Sequence, residues 1–110
     1  MIIVSSAKVG ETVTVTLYVY DENDNLTDPD NYDAATPVYP TITIRKGETK
    51  FVDAIVDGVD MVTRESLGTF VYKWQTLGER PGPYTITARS AVDGDIRTPQ
   101  GSFTLYSPGT

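Results

Sequence analysis

Residues 12–20 alternate with a period of two. Val13, Val15, Leu17 and Val19 point one way, and Thr12, Thr14, Thr16, Tyr18 and Tyr20 point the other. β-Branched and aromatic side chains on a strict alternation predict a strand with one face buried. Gly10 and Glu11 set it off from a short opening strand over residues 2–4. Segment 38–45 repeats the pattern, with Val38, Ile42 and Ile44 on one face and Thr41, Thr43 and Arg45 on the other, before Lys46-Gly47 turns the chain. Residues 51–56 and 59–63 flank Asp57-Gly58, a dipeptide that predicts a two-residue hairpin turn. Gly68 opens a strand over 69–76 in which Phe70, Tyr72 and Trp74 share a face. Segment 77–83, with its prolines and glycines, predicts a crossing loop. Residues 84–90 alternate again, with Tyr84, Ile86 and Ala88 inward. Asp93-Gly94 is a second hairpin signal, and 96–106 returns with Phe103 and Leu105 inward. Pro99 and Gly101 mark that last strand as bulged or at an edge.

Seven or eight short strands, turn signals between them and no helical stretch predict an all-β fold, an antiparallel two-sheet sandwich. Trp74, Tyr72, Phe70, Phe103, Leu17 and Ile86 are the expected centre of the core. Burying each large side chain stabilises by roughly 1.5–3 kcal/mol. The 110 residues are enough for one domain, read as 1–110, and too few for two.

One stretch does not alternate. Residues 21–37 hold Pro29, Pro37 and many Asp and Asn, and form a long acidic loop of about 17 residues. Asp21, Glu22, Asp24, Asp28, Asp30 and Asp33 fall there with no base among them. The chain has 15 acids and 9 bases, so the rest of it is balanced and the net charge of -6 belongs to this loop. The acidity, with a pI near 4.4 and no dense run of Lys and Arg, argues against nucleic acid or an anionic membrane as partner. No apolar run approaches the ~20 residues that span a bilayer. The opening Met-Ile-Ile-Val-Ser-Ser lacks the basic and apolar regions of a signal peptide, so work without Sec-type export is expected. With no cysteine, disulfides, thiolate zinc sites and cysteine nucleophiles are excluded. With no histidine, the commonest general base and metal ligand is missing too.

The runs Gly10-Glu-Thr-Val-Thr-Val, Val19-Tyr-Asp-Glu-Asn-Asp-Asn-Leu-Thr-Asp-Pro, Thr41-Ile-Thr-Ile, Gly68-Thr-Phe-Val-Tyr and Pro81-Gly-Pro-Tyr-Thr-Ile-Thr-Ala together resemble immunoglobulin-like sandwich modules. Such modules occur in tailed-phage virion proteins and in prokaryotic surface proteins. Gly82-Pro83-Tyr84 resembles the Gly-x-Tyr that leads into the penultimate strand of these modules. The cysteine pair of antibody domains is absent. The resemblance covers nearly the whole chain and implies an Ig-like fold with a binding or structural role.

Asp21, Asn23 and Asn25 have the spacing of the first three oxygen ligands of an EF-hand loop, but Leu26 stands at its glycine position and Tyr32 at its bidentate Glu. Asp21-Glu22-Asn23-Asp24-Asn25 is also similar to the cadherin Ca²⁺ linker, whose partner motifs are missing or partial here. Asn and Asp favour turns in any case, so no metal site and no cofactor are assigned. Asp57, Asp60, Glu65, Asp93 and Asp95 are the acids that could pair to cleave a glycoside, yet all sit at or near predicted turns. Ser66 and Ser90 have no histidine base. No catalytic residue is therefore assigned. Tyr18, Tyr20, Tyr39 and Tyr106 fall on outer or loop-facing positions and are candidates for a protein interface.

These readings lead to a non-enzymatic structural and interaction module. It is expected to be a small virion component of a bacterial or archaeal virus, decorating the capsid or serving at the neck or tail. Its expected partners are other protein subunits, with homo-oligomers left open. The alternative is a cell-surface adhesin or carbohydrate-binding module, with or without Ca²⁺.

Overall fold

In the computed structural model, residues 1–30, 38–47 and 54–107 are described. The strands are β1 (Ile2–Val4), β2 (Ala7–Lys8), β3 (Thr12–Tyr18), β4 (Thr41–Lys46), β5 (Ala54–Asp60), β6 (Thr63–Ser66), β7 (Thr69–Gln75), β8 (Gly82–Val92), β9 (Asp95–Arg97) and β10 (Gln100–Tyr106). No helix occurs among the described residues. One sheet has the order β1-β3-β7-β6, and the other β2-β10-β8-β4-β5 with β9 beside the far end of β8. Among the described residues all strand pairings are antiparallel except the short parallel contact of β2 with β10. The result is an all-β, sandwich-like pair of sheets. The chain changes sheet between β1 and β2, β2 and β3, β3 and β4, β5 and β6, and β7 and β8.

Alternation fills the space between the layers. Val13, Val15, Leu17, Phe70 and Trp74 enter it from the first sheet. Ile42, Ile44, Val56, Tyr84, Ile86, Ala88, Phe103 and Leu105 enter it from the second. Three aromatic rings join the layers. Tyr84 and Phe103 face each other across the β8–β10 ladder and stack, with centroids 5.4 Å apart and planes 12° apart. Trp74 of the opposite sheet meets both edge-on, at 5.4 Å from Tyr84 and 6.0 Å from Phe103. Offset and edge-to-face pairs of this kind are worth about 0.5–1.5 kcal/mol beyond their burial.

The crossing from β7 to β8 is fixed at both ends. Thr76 is wholly buried; its Oγ1 donates to the Glu11 carbonyl (2.6 Å) and accepts from Gly10 N–H (2.8 Å). The Tyr84 hydroxyl donates to the carbonyl of Arg80, in the loop just before β8. A buried phenol so satisfied anchors the loop to the core.

The alternating strands lie where their pattern puts them. Val13, Val15, Leu17 and Val19, then Tyr84, Ile86 and Ala88, then Phe103 and Leu105 are all buried. Asp93-Gly94 is the expected two-residue turn, with Val92 opposite Asp95 and left-handed φ values of 53° and 82°. Asp57-Gly58 is not a hairpin. β5 runs straight through it, and Val56 and Val59 face Ile44 and Ile42, so β5 carries one extra residue. Gly58, at φ 59°, takes up that residue as a bulge, and its N–H donates to Thr43 Oγ1 (3.1 Å). The hairpin lies further on, at Leu67-Gly68, where Ser66 pairs with Thr69.

β6, exposed at every position, was not anticipated, nor was the two-residue β2. The described residues thus form ten strands, where seven or eight were expected. Val38 is exposed, and Pro40 instead closes the core next to Met61, whose N–H donates to the Pro40 carbonyl (2.8 Å). Tyr72 packs on the core from a half-buried position. Pro99 interrupts the return strand without a bulge. Ser90 pairs with Arg97 and Thr87 with Gln100, so the register does not slip. Ala88 N–H still donates to the Pro99 carbonyl (3.0 Å), and only the missing proline N–H breaks the ladder. The start of the strand expected over 51–56, residues 51–53, lies outside the described residues, as do 31–37 of the acidic loop.

Tyr84→Phe is expected to lower unfolding free energy at neutral pH by about 1 kcal/mol, the net worth of one hydrogen bond. Burial, with Glu79 adding to it, raises the Tyr84 pKa. Stabilisation by the neutral phenol is therefore complete below the unfolded tyrosine value of about 10 and is lost as pH rises through the raised folded value. Urea unfolding from pH 7 to 11 should show a fall in the wild type that is shallower in Tyr84→Phe.

Candidate functional site

The acidic loop leaves β3 by turning on itself. Tyr20 and Leu26 form an isolated antiparallel bridge. Between them Asp21 N–H donates to the Asn25 carbonyl (2.9 Å) and Asp24 N–H to the Asp21 carbonyl (3.1 Å). Asp24 takes a left-handed φ of 61°, which Asp tolerates better than most residues. Asp21 Oδ1 accepts two backbone donors, Asn23 N–H (2.8 Å) and Asn25 N–H (3.0 Å). The pentapeptide with EF-hand-like spacing is thus a turn that caps itself. Glu22 and Asp24 stay exposed. Among the described residues no three of Asp, Glu, His or Cys gather closely enough to hold a metal ion.

The next residues tie the loop to both sheets. Thr27 N–H donates to the Val19 carbonyl (3.0 Å). The Asp28 carboxylate takes a two-point contact from Arg64 of β6, Nε at 3.0 Å and Nη2 at 2.9 Å, and accepts Gly68 N–H at 3.0 Å. The Arg64 hydrogen bond holds the Asp28 carboxyl below its usual pKa, against an opposing push from burial. Pro29 is buried. Asp30 N–H donates to the Ala91 carbonyl (2.8 Å), while its carboxylate accepts Asp93 N–H (2.9 Å) and Gly94 N–H (2.7 Å). Two successive amides in a turn with positive φ form a concave anion cradle, and Asp30 fills it. Asp28 therefore grips the β6–β7 turn of one sheet, and Asp30 the β8–β9 turn of the other. Gly68 has no room for a side chain: a Cβ there would lie 2.8–2.9 Å from backbone atoms of Thr27 and Val19, at φ 67°.

The four tyrosines do not converge. Tyr106 is exposed at the far end of β10, beside the start of β8. Tyr39 packs against the core. Tyr18 and Tyr20 are half-buried and share a cleft of about 390 Å³ with Arg97 and Pro99. The acids weighed for glycoside cleavage are split: Asp57, Asp60 and Glu65 lie on β5 and β6, and Asp93 and Asp95 at the β8–β9 turn. Ser66 and Ser90 lie on different sheets, Ser90 buried and Ser66 exposed.

Sequence reasoning missed a second concave feature, an open groove of about 660 Å³ between β5, β6 and β7, with Val59, Val62 and Val71 among its walls. The signal was the adjacent apolar pair Met61-Val62. Two neighbouring apolar residues break the period of two, and the chain there swings between sheets, with Met61 buried and Val62 exposed. Comparison with known proteins finds no family, no curated protein and no solved structure that matches the chain.

Gly68→Ala should cost about 2 kcal/mol or more, since the added methyl meets backbone and the conformation is left-handed. Chemical denaturation would measure this, and an unchanged midpoint would contradict the close approach. Asp28 contributes stability that is present above the unfolded aspartate value of about 3.9 and is lost as pH falls through its lowered folded value. Thermal melts between pH 7 and pH 2 should therefore fall more steeply below pH 4 in the wild type than in Asp28→Asn.

Proposed function

We propose that the chain is an Ig-like, non-enzymatic structural and interaction module, and in its specific form a small virion component that docks on capsid, neck or tail subunits. The strand order supports the Ig-like part. In Ig-type sandwiches one sheet runs A-B-E-D and the other contains G-F-C, with C′ added in variable-type domains. β1-β3-β7-β6 fits the first series, and β10-β8-β4-β5 fits the second. β2 fits the detached half of an A strand that has crossed to run beside the last strand. Tyr84 adds to this. It stands at the start of β8, and its hydroxyl reaches back to the Arg80 carbonyl, the arrangement of a tyrosine corner. Ile86, two residues on, is wholly buried where antibody domains carry a cysteine.

One observation carries the interaction role. β5 ends one sheet and β6 ends the other on the same side of the molecule, and Val59 and Val62 are 42% and 62% exposed there. Sheet edges flanked by apolar surface are sites of protein docking. The virion assignment draws on the sequence resemblance and on the suitability of such a module for many-copy assemblies. A Ca²⁺-dependent surface module draws less support, because Asp21 Oδ1 already serves two backbone amides.

The test is co-assembly. The gene is expected to neighbour capsid or tail genes, and the purified chain to co-sediment with particles built from those neighbours' products. A chain that stays monomeric, ignores such particles and binds glycans would overturn the proposal.

A further inference from the structure

β7 has ladder positions that nothing among the described residues fills. It pairs with β3 from Thr69 to Gln75. On its other side β6 reaches only as far as Thr63, opposite Val71. Ladder geometry then identifies the groups left over. Val19 N–H donates to the Gly68 carbonyl, so by alternation Phe70, Tyr72 and Trp74 turn their backbone groups toward β3. Thr69, Val71, Lys73 and Gln75 turn theirs toward β6. Beyond Val71 the β6 strand is gone, because Met61 and Val62 lead back to β5. Backbone N–H and C=O groups of Lys73 and Gln75 therefore face a gap, with no ladder partner among the described residues. The gap opens on the 660 Å³ groove walled by Val59, Val62 and Val71.

We propose that this groove receives one added strand from a protein partner: an extended segment alternating β-branched residues with Lys or Arg, paired to β7 at Lys73 and Gln75. The proposal rests on the interaction-module reading and locates its docking site. Backbone pairing supplies affinity in strand addition, and alternate side chains supply specificity. The valine walls suit apolar side chains on one face of the incoming strand.

Charge selects the other face. Asp60 and Glu65 line the groove and are exposed, Arg64 is engaged by Asp28, and Lys73 is the base among the described residues that line it. A second copy of the chain fits poorly. Each copy carries a net charge of -6. The β5 edge that a copy would offer is broken by two register shifts, the kind of irregularity that blunts edge-to-edge pairing.

The probe is an acetylated, amidated peptide of alternating lysine and valine, titrated into the ¹⁵N-labelled chain and followed by amide chemical shifts. The largest shifts are expected at Lys73 and Gln75. Affinity should fall at least about tenfold for the matching glutamate–valine peptide, for Gln75→Pro and for Val62→Lys. Gln75→Pro removes a donor from an edge position that proline tolerates. Val62→Lys, at an exposed site, decides the matter if the proline variant unfolds. Shifts centred elsewhere, equal affinity for the two peptides, or undiminished binding by a folded variant would each overturn the proposal. If the peptide fails while the chain still joins particles of its neighbours' subunits, this docking site is wrong and the wider reading stands. Failure of both removes both.

Discussion

Trp74 reaches from one sheet onto the stacked Tyr84–Phe103 pair of the other, and this contact sets how the two layers meet. Tyr84 and Phe103 are ladder partners, so the stack also fixes β8 against β10. Trp74 lies opposite Val13, so the same contact fixes β7 and β3 over the stack. A slip of one residue in any of these strands would send its apolar set to the outer face. The centre is therefore over-determined by geometry as well as by apolar area. The phenol adds a further constraint. Its ring belongs to the stack and its hydroxyl to the Arg80 carbonyl, so the loop that carries the chain from one sheet to the other is tied to the core.

A second tie lies where the acidic loop passes. Three carboxylates of the acidic loop accept hydrogen bonds within the protein. Asp21 caps its own turn, Asp28 holds Arg64 and the Gly68 amide, and Asp30 holds the Asp93 and Gly94 amides. With Pro29 buried between the last two, the segment straps a turn of each sheet. The net charge of the chain thus partly becomes architecture. What remains open to a partner is the opposite kind of feature, the apolar groove and short edges beside β5 and β6.

Strands whose burial follows a strict period of two were legible, as Val13, Val15, Leu17 and Val19 on β3 and Tyr84, Ile86 and Ala88 on β8 illustrate. The Asp93-Gly94 turn was legible because both positions need positive φ and local chemistry decides it. Asp57-Gly58 misled because the same dipeptide also suits a bulge, and only pairing with Ile42 and Ile44 distinguishes the two. β6 carried no signal: Thr63, Arg64, Glu65 and Ser66 are all exposed, and hydrogen bonds to β7 alone make them a strand. The described part of the acidic loop, 21–30, lies outside the strands as its composition suggests, but the roles of Asp28 and Asp30 depend on Gly68 and Gly94, 40 and 64 residues away in the chain. No local pattern encodes partners at that separation.

The packing of Trp74 on Tyr84 and Phe103 is the claim on which the rest stands, and proton–proton Overhauser contacts test it most directly. The account predicts strong cross-peaks from the Trp74 indole to the ring protons of both residues, together with cross-peaks to β3 methyl groups. An indole that shows neither ring contact and whose fluorescence is freely quenched from solvent would contradict it.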